Sequence, residues 1–249
     1  MLRLKKLQLA INRDEVRQWQ HGKMLINTIN AHSYNVAQTD AIFAEALSHG
    51  DKLIPDGASI VKACRWMGAQ SQPKERIAGW DLFVIEMEKL NQRGADTDVK
   101  PCCLFVGSSE EVLQKITEKA KNVYPHIRIE TYSPPYKPEF TEEENNDMVT
   151  FINKTNPDLL WFGMTAPKQE KWAYQHWDRL NINCHAGTIG AVFDFFAGTA
   201  QRAPLWWQRH SLEWLYRLCK EPRRMWRRYL IGNILFIINI VKEKYTCNE

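Results

Sequence analysis

The six cysteines of this 249-residue chain include no CxxC pair and no His-coupled metal spacing, and they are too sparse for a secreted disulfide scaffold. Cys64, Cys102, Cys103, Cys184, Cys219 and Cys247 are therefore expected as reduced thiols of a cytoplasmic protein. Long apolar runs are also missing. The longest, Leu230 to Val241, is broken by Gly232, Asn233 and Asn239 and falls short of the roughly 20 residues that span a bilayer. Met1 to Ile11 mixes leucines with Arg3, Lys5 and Lys6 and has no small-residue cleavage site, so no signal peptide is expected. Glycine (12) and proline (11) are too few for a collagenous or low-complexity chain. A Walker loop, GxGxxG, GxSxG and HExxH are all absent, which removes the P-loop, dinucleotide, serine-hydrolase and zinc-protease readings that rest on them. The seven histidines are scattered and no metal site is expected. The DxD triplet Asp96-Thr97-Asp98 sits in a polar stretch and reads as a solvated loop.

What is present is an ordinary globular composition, 44% hydrophobic and 25% charged, with a net charge of +4. That charge is unevenly placed. From Arg202 onward ten Lys/Arg face four Asp/Glu, whereas the first 201 residues carry 23 against 25. A cationic tail on a nearly neutral body points to an anionic partner, either a membrane surface or phosphate groups.

Along the body, apolar β-branched runs alternate with helical periodicity, the pattern of parallel strands joined by crossover helices. The expected strands are Met24 to Ile29, Cys102 to Val106, Ile127 to Tyr132, Asp158 to Phe162 and Ile182 to Ala186. Helices are expected over Thr39–Ser48, Ala58–Met67, Leu82–Gln92, Ser109–Val123, Glu142–Asn153 and Lys168–Leu180. The fold class is α/β: a Rossmann-like, mostly parallel sheet over residues 1–201, followed by a basic, Trp-rich helical appendage over 202–249. In the appendage Pro222 is expected to divide a helix over Trp206–Lys220 from a second one starting near Arg223. Ligands of such sheets collect at the C-terminal strand ends, here Asn30, Gly107, Ser133, Gly163 and Gly187.

Thr28 and Asn30, in TINAHS, leave the first strand on the same side and suit either a polar ligand or a helix cap. Asp56, in IPDGAS, precedes a helical run whose amides are expected to keep it ionised, ready to accept a proton; an N-cap or an Asp-Gly turn is the plainer alternative. In GMTAPKQEKW, Gly163 permits close backbone approach, and Lys168, Gln169 and Glu170 fill the first turn of a helix that offers free N–H groups to an anion. LFVGSS, with Gly107, and HAGTIGAVFDFFAG supply two more glycine-punctuated turns. Each glycine also fits ordinary packing, yet three such turns along one edge favour a nucleotide-sized ligand.

Taken in order, TINAHS, IPDGASIV, ERIAGWDLF, LFVG, GMTAPKQEKW, GAVFDFFAG, QRAPLWW, LEWLYRL and EPRRMWRRY resemble the WecG/TagA/CpsF family, glycosyltransferase family 26. The resemblance implies transfer of a hexose such as N-acetylmannosamine from a UDP-sugar to a polyprenyl-diphosphate-linked sugar, with inversion and without a metal or other cofactor, in bacterial cell-surface polysaccharide synthesis. It implies Asp56 as the base and Thr28, Asn30 and Gln169 beside substrate. The matching arginines of the appendage are Arg217, Arg224 and either Arg227 or Arg228, and Gly107, Gly163 and Lys168 join the substrate-binding edge. The basic aromatic tail fits such an acceptor, so a protein peripheral on the inner face of the plasma membrane is expected, docked through residues 202–249, with no nucleic-acid partner and with a homo-oligomer compatible with the chain. Thr165, Ser108 and the YSPPYKPEF stretch depart from the common family pattern. The competing reading is a non-catalytic Rossmann-like module holding anionic lipid or nucleic acid through RRMWRRY, which leaves Asp56 and the ordered loops without a task.

Overall fold

The structure is a computed structural model describing residues 1–246; Cys247 and the side chain of Arg224 lie outside the described residues. Six strands, β1 (Met24–Ile29), β2 (Lys52–Pro55), β3 (Cys102–Val106), β4 (Arg128–Tyr132), β5 (Leu159–Phe162) and β6 (His185–Thr188), form one sheet in the order β2-β1-β6-β5-β3-β4. All pairings are parallel. The central strands are buried on both faces, which is why CCLFV and LLWF read as unbroken apolar runs. Their alternate side chains serve two cores. Cys103, Phe105, Leu159 and Trp161 pack with α5 (Gly79–Ala95) and α6 (Glu110–Val123) on one face, and Leu104, Val106, Leu160 and Phe162 pack with α7 (Glu142–Thr155) and α8 (Lys168–His176) on the other.

Two strands depart from expectation. β2 has only four residues and ends on Pro55, too short for a period-2 signal; as the edge strand it tolerates the missing donor. β6 runs over His185–Thr188 rather than Ile182–Ala186, so Gly187 lies inside the strand and not at its end. Packing selects the small residues: a Cβ on Gly187 would come 2.3 Å from the Trp161 ring. The apolar residues that drew the expectation forward, Ile182 and Cys184, are buried in the core just ahead of the strand.

At the N-terminal end of the sheet the buried His185 ring lies 2.8 Å from Glu86 Oε2 through Nδ1 and 2.8 Å from the Gln20 carbonyl through Nε2. Both partners accept, so the doubly protonated ring serves both as donor. Burial opposes that charge, but the Glu86 bond and charge and the Gln20 carbonyl outweigh it and raise the His185 pKa above 6.5. Burial likewise opposes the Glu86 charge, and His185 and Lys89 outweigh it and hold the pKa below 4.5. The pair's stabilisation is therefore full between those two ordinary values. It is expected to fade as pH rises through the raised His185 pKa, and as pH falls through the lowered Glu86 pKa. Denaturant unfolding followed across pH checks this, with Glu86→Gln expected to flatten the alkaline loss.

The appendage differs from the two helices expected. A break at Ser211, φ 60°, separates α10 (Leu205–Arg209) from α11 (Glu213–Lys220). α12 (Pro222–Trp226) begins at Pro222, and a π-helical stretch over Arg227–Ile231 leads into α13 (Gly232–Thr246). Five further helices lie in the body among the described residues: α2 (Ala31–Val36), α3 (Ala41–His49) and α4 (Ala58–Met67), grouped near the β1–β2 side of the sheet, and α1 (Arg13–Arg17) and α9 (Val192–Ala197), which lie against α5. Across the composition boundary at residue 202, Phe236 and Ile240 of α13 pack in one cluster with Leu2, Leu4, Tyr34 and Ile60. Glu243 fastens this contact. Its carboxylate accepts from Leu4 N at 3.1 Å, Lys5 N at 2.7 Å and the Tyr34 hydroxyl at 2.6 Å. Glu243→Ala strands these donors and is expected to cost on the order of 3 kcal/mol, read as a lowered midpoint in chemical denaturation.

Candidate active site

The chain leaves β2 at Pro55 and bends toward the end of β1, the Asp56 amide donating to Ile29 O at 2.8 Å and Ile54 O at 3.0 Å. The N-cap of α4 is Gly57, with no side-chain cap bond, so Asp56 is not spent on capping. Its carboxylate instead lies 3.3 Å from Arg76 Nη2, and the same nitrogen stands 2.8 Å from Glu213 of α11. These side chains keep 27% (Asp56), 23% (Arg76) and 14% (Glu213) of their surface open, so the group is enclosed yet reachable. Desolvation is the largest influence on Asp56. It outweighs the lowering by Arg76, and with the charges of Glu213 and Asp81 it moves the pKa up. This corrects the expectation of a carboxylate held ionised by the amides of α4: protein mass and neighbouring acids dominate, and the result is a stronger base.

Thr28, half-buried, lies opposite Ile54 in the β1–β2 register. Asn30 caps α2, its Oδ1 accepting from His32 N at 3.0 Å and Ser33 N at 3.1 Å, while Ser33 Oγ accepts from Asn30 N at 2.7 Å. The capping alternative is thus present, and it fixes Asn30 with its amide nitrogen as the edge suited to a ligand. A Cβ on Gly57 would stand 3.5 Å from that of Asn30, so the two loops abut and Thr28, Asn30 and Asp56 share one corner of the sheet edge.

Gly107 and Gly163 follow β3 and β5. Gly107 adopts φ +118°, and a Cβ there would lie 2.8 Å from the Gly163 carbonyl carbon; one on Gly163 would strike the Phe193 ring at 2.3 Å. The close approaches they permit in this structure are to protein. Lys168 turns toward the segment before α7, donating to the Lys137 carbonyl and standing 3.5 Å from the Phe140 ring centroid; burial lowers its pKa. Gln169 is buried and donates to Glu170 Oε1 at 2.8 Å, leaving Gln169 Oε1 and Glu170 Oε2 without hydrogen-bond partners. Burial pushes the Glu170 pKa up to about 7. Gln169 lies beside the turn after β6, where a Cβ on Gly190 would come 3.6 Å from its Nε2.

Of the appendage arginines, Arg217 stacks 5.3 Å from the Phe195 centroid, Arg227 5.3 Å from that of Trp226 and Arg228 5.8 Å from that of Tyr229. Arg228 also reaches the Asn30 corner: burial first, and then the Arg228 charge, lower His32 to about 4. Arg76 and Glu213 were not singled out from sequence, although both lie in quoted motifs, ERIAGWDLF and LEWLYRL. Neither stretch carries a spacing that announces a pair made across more than a hundred residues. Among the described residues no group of three or more His, Cys, Asp or Glu is placed to hold a metal ion.

The structure is of the doubly wound α/β class, with an acid–guanidinium corner at the C-terminal edge of its parallel sheet, where ligands of such sheets collect, and a basic aromatic arm against that corner. The sequence profile of the Glycosyl transferase WecG/TagA/CpsF family matches residues 2–249, and the chain belongs to that family, as a hexosyltransferase. It is similar to the N-acetylglucosaminyldiphosphoundecaprenol N-acetyl-beta-D-mannosaminyltransferase of Bacillus spizizenii, 30% identical over 211 residues, 85% of this chain and 76% of the relative. The enzyme of the same description from Bacillus subtilis is 30% identical over 220 residues, 88% of this chain and 80% of the relative. That from Staphylococcus aureus is 26% identical over 226 residues, 90% and 82% of the respective chains.

Proposed function

We propose that this chain transfers an N-acetylmannosamine-type hexose from a UDP-sugar to a polyprenyl-diphosphate-linked sugar, with inversion and without a metal, and that Asp56 is the base. The names of the relatives supply the sugar and acceptor classes; the observation that carries the mechanism is the desolvated Asp56 beside Arg76. The acceptor hydroxyl oxygen attacks the anomeric carbon from the face opposite UDP. The carbon–oxygen bond to UDP breaks, its electron pair leaves on the diphosphate, and the hydroxyl proton passes to Asp56. The hydroxyl acidifies as it bonds to carbon, so a carboxylate with a raised pKa accepts the proton late in the step. Guanidinium groups and helix N-terminal amides are the chain's own means of stabilising the growing diphosphate charge.

No helix of the described residues is long and apolar enough to cross a membrane. α13 is nevertheless apolar on two opposite sides. Phe236 and Ile240 face the body, while Ile234, Ile237, Ile238 and Val241 face outward with Leu230 and Trp226 nearby. With Arg223, Arg227 and Arg228 in the adjoining turns, this face suits the inner leaflet of the plasma membrane, where the lipid diphosphate acceptor resides. The test is incubation of pure full-length protein with several UDP-sugars and a short-chain prenyl-diphosphate sugar, with mass spectrometry of the lipid product. A hexose adduct that persists in EDTA is expected. EDTA inhibition would overturn the metal-free step. Absence of product from every donor, with vesicle binding intact, would favour the non-catalytic module.

A further inference from the structure

Glu213 has no task in the reaction above, and its position is costly: a carboxylate with 14% of its surface open sits where diphosphate charge is expected to gather. It comes from α11 of the arm, yet it lies 2.8 Å from Arg76 Nη2, nearer than Asp56 at 3.3 Å from that same nitrogen. Arg202 adds a looser contact, its Nε 3.8 Å from Glu213 Oε1, and is itself held 5.5 Å from the Trp80 ring centroid. The fork of a guanidinium normally closes on one carboxylate by two parallel bonds. Here one nitrogen is shared: it donates a hydrogen bond to Asp56 and makes the shorter ion-pair contact with the acid of the arm.

We propose that Glu213 is a positioning residue for the transfer: by holding Arg76 from the arm's side it keeps the guanidinium beside Asp56 without letting the two close into a tight pair. The inference rests on Asp56 being the base. A bidentate Arg76 clamp would stabilise the Asp56 anion and weaken it as a proton acceptor, whereas a divided guanidinium remains available to a phosphate oxygen and leaves Asp56 basic. The negative charge of Glu213 acts in the same direction. The other charged groups around the pair are already engaged: Asp81 accepts from Ala78 N at 2.8 Å and from Arg13 at 3.1 Å, and Arg13 also pairs with Glu75.

The experiment is the pH profile of kcat/KM for full-length Glu213→Gln with the soluble short-chain acceptor, so that membrane docking does not limit the rate. Removing the charge while keeping the shape is expected to let Arg76 close on Asp56, moving the acid limb to lower pH and lowering the plateau by roughly three- to tenfold. Glu213→Asp, which retains the charge, is expected to leave the limb where the wild type has it. An acid limb unmoved in Glu213→Gln, or a loss uniform across pH accompanied by weaker vesicle binding, would mean that Glu213 only tethers the arm and would overturn the proposal. So would loss of cooperative melting in this isosteric variant. Asp56→Asn, assayed alongside, separates the two readings. If it stays active the base assignment fails, and if it is inactive while the Glu213→Gln limb is unmoved, only the role of Glu213 fails.

Discussion

Replacing Asp56 by asparagine is expected to lower transfer by about 10³-fold, the scale on which a positioned general base acts, while vesicle binding and fold survive. The substitution preserves volume and removes only the proton acceptor. Because burial raises the Asp56 pKa above its ordinary 3.8, ionising it in the folded protein carries a cost that the unfolded chain does not bear. The protonated carboxyl's contribution to stability is present at low pH and is lost as pH rises through the folded pKa. Asp56→Asn is therefore expected to melt no lower than wild type at neutral pH, with Arg76 still paired to Glu213. Less activity with undiminished stability is the signature of a group placed for chemistry. In the wild type, transfer should rise with pH through an apparent pKa above the normal carboxylate range, since the ionised form is the reactive one. Transfer by Asp56→Asn within tenfold of wild type would remove the residue as base, and a large fall in its melting temperature would mark it as structural.

The parallel sheet was legible because its central strands are buried on both faces and so spell continuous apolar runs; the observed bounds of β1 and β3 are those the sequence predicts. Where a strand is defined by its neighbours, the sequence signal weakens. β6 is a small-residue strand cut to fit Trp161, and β2 is four residues against the edge of β1. At the site, the loops carrying Asn30, Asp56 and Gln169 stand out because helix starts and glycine turns are local features. Arg76 and Glu213 do not stand out: their pairing is set by how the arm lies on the body, and nothing within either segment encodes that approach. The raised pKa of Asp56 was hidden for the same reason, since enclosure by remote elements is invisible to a reading of its neighbours in sequence, which suggested the opposite sign. In the appendage the composition showed charge and tryptophan but not that Phe236, Ile240 and Glu243 fasten α13 to the first residues of the chain.

The second large effect is expected at that helix. Ile234 and Ile237 are 61% and 60% exposed, so nothing in the fold accounts for their apolar character. Burying an isoleucine side chain contributes about 1.5–3 kcal/mol, and an ionised glutamate resists the same transfer. The double substitution Ile234→Glu with Ile237→Glu is therefore expected to weaken binding to vesicles containing phosphatidylglycerol and cardiolipin by at least about 10²-fold. Its melting temperature should hardly change, because the opposite face of α13, with Phe236 and Ile240, is untouched. Electrostatic attraction is a separate contribution: each arginine near an anionic surface adds about 1 kcal/mol, so wild-type binding should weaken with salt. The variant should retain transfer to the soluble short-chain acceptor and lose it to a long-chain acceptor embedded in vesicles, since only the second requires the enzyme at the bilayer. Unchanged vesicle affinity would show that this face does not meet lipid. If the substitutions instead converted a wild-type oligomer to monomer on gel filtration, its occupant would be a second copy of the chain.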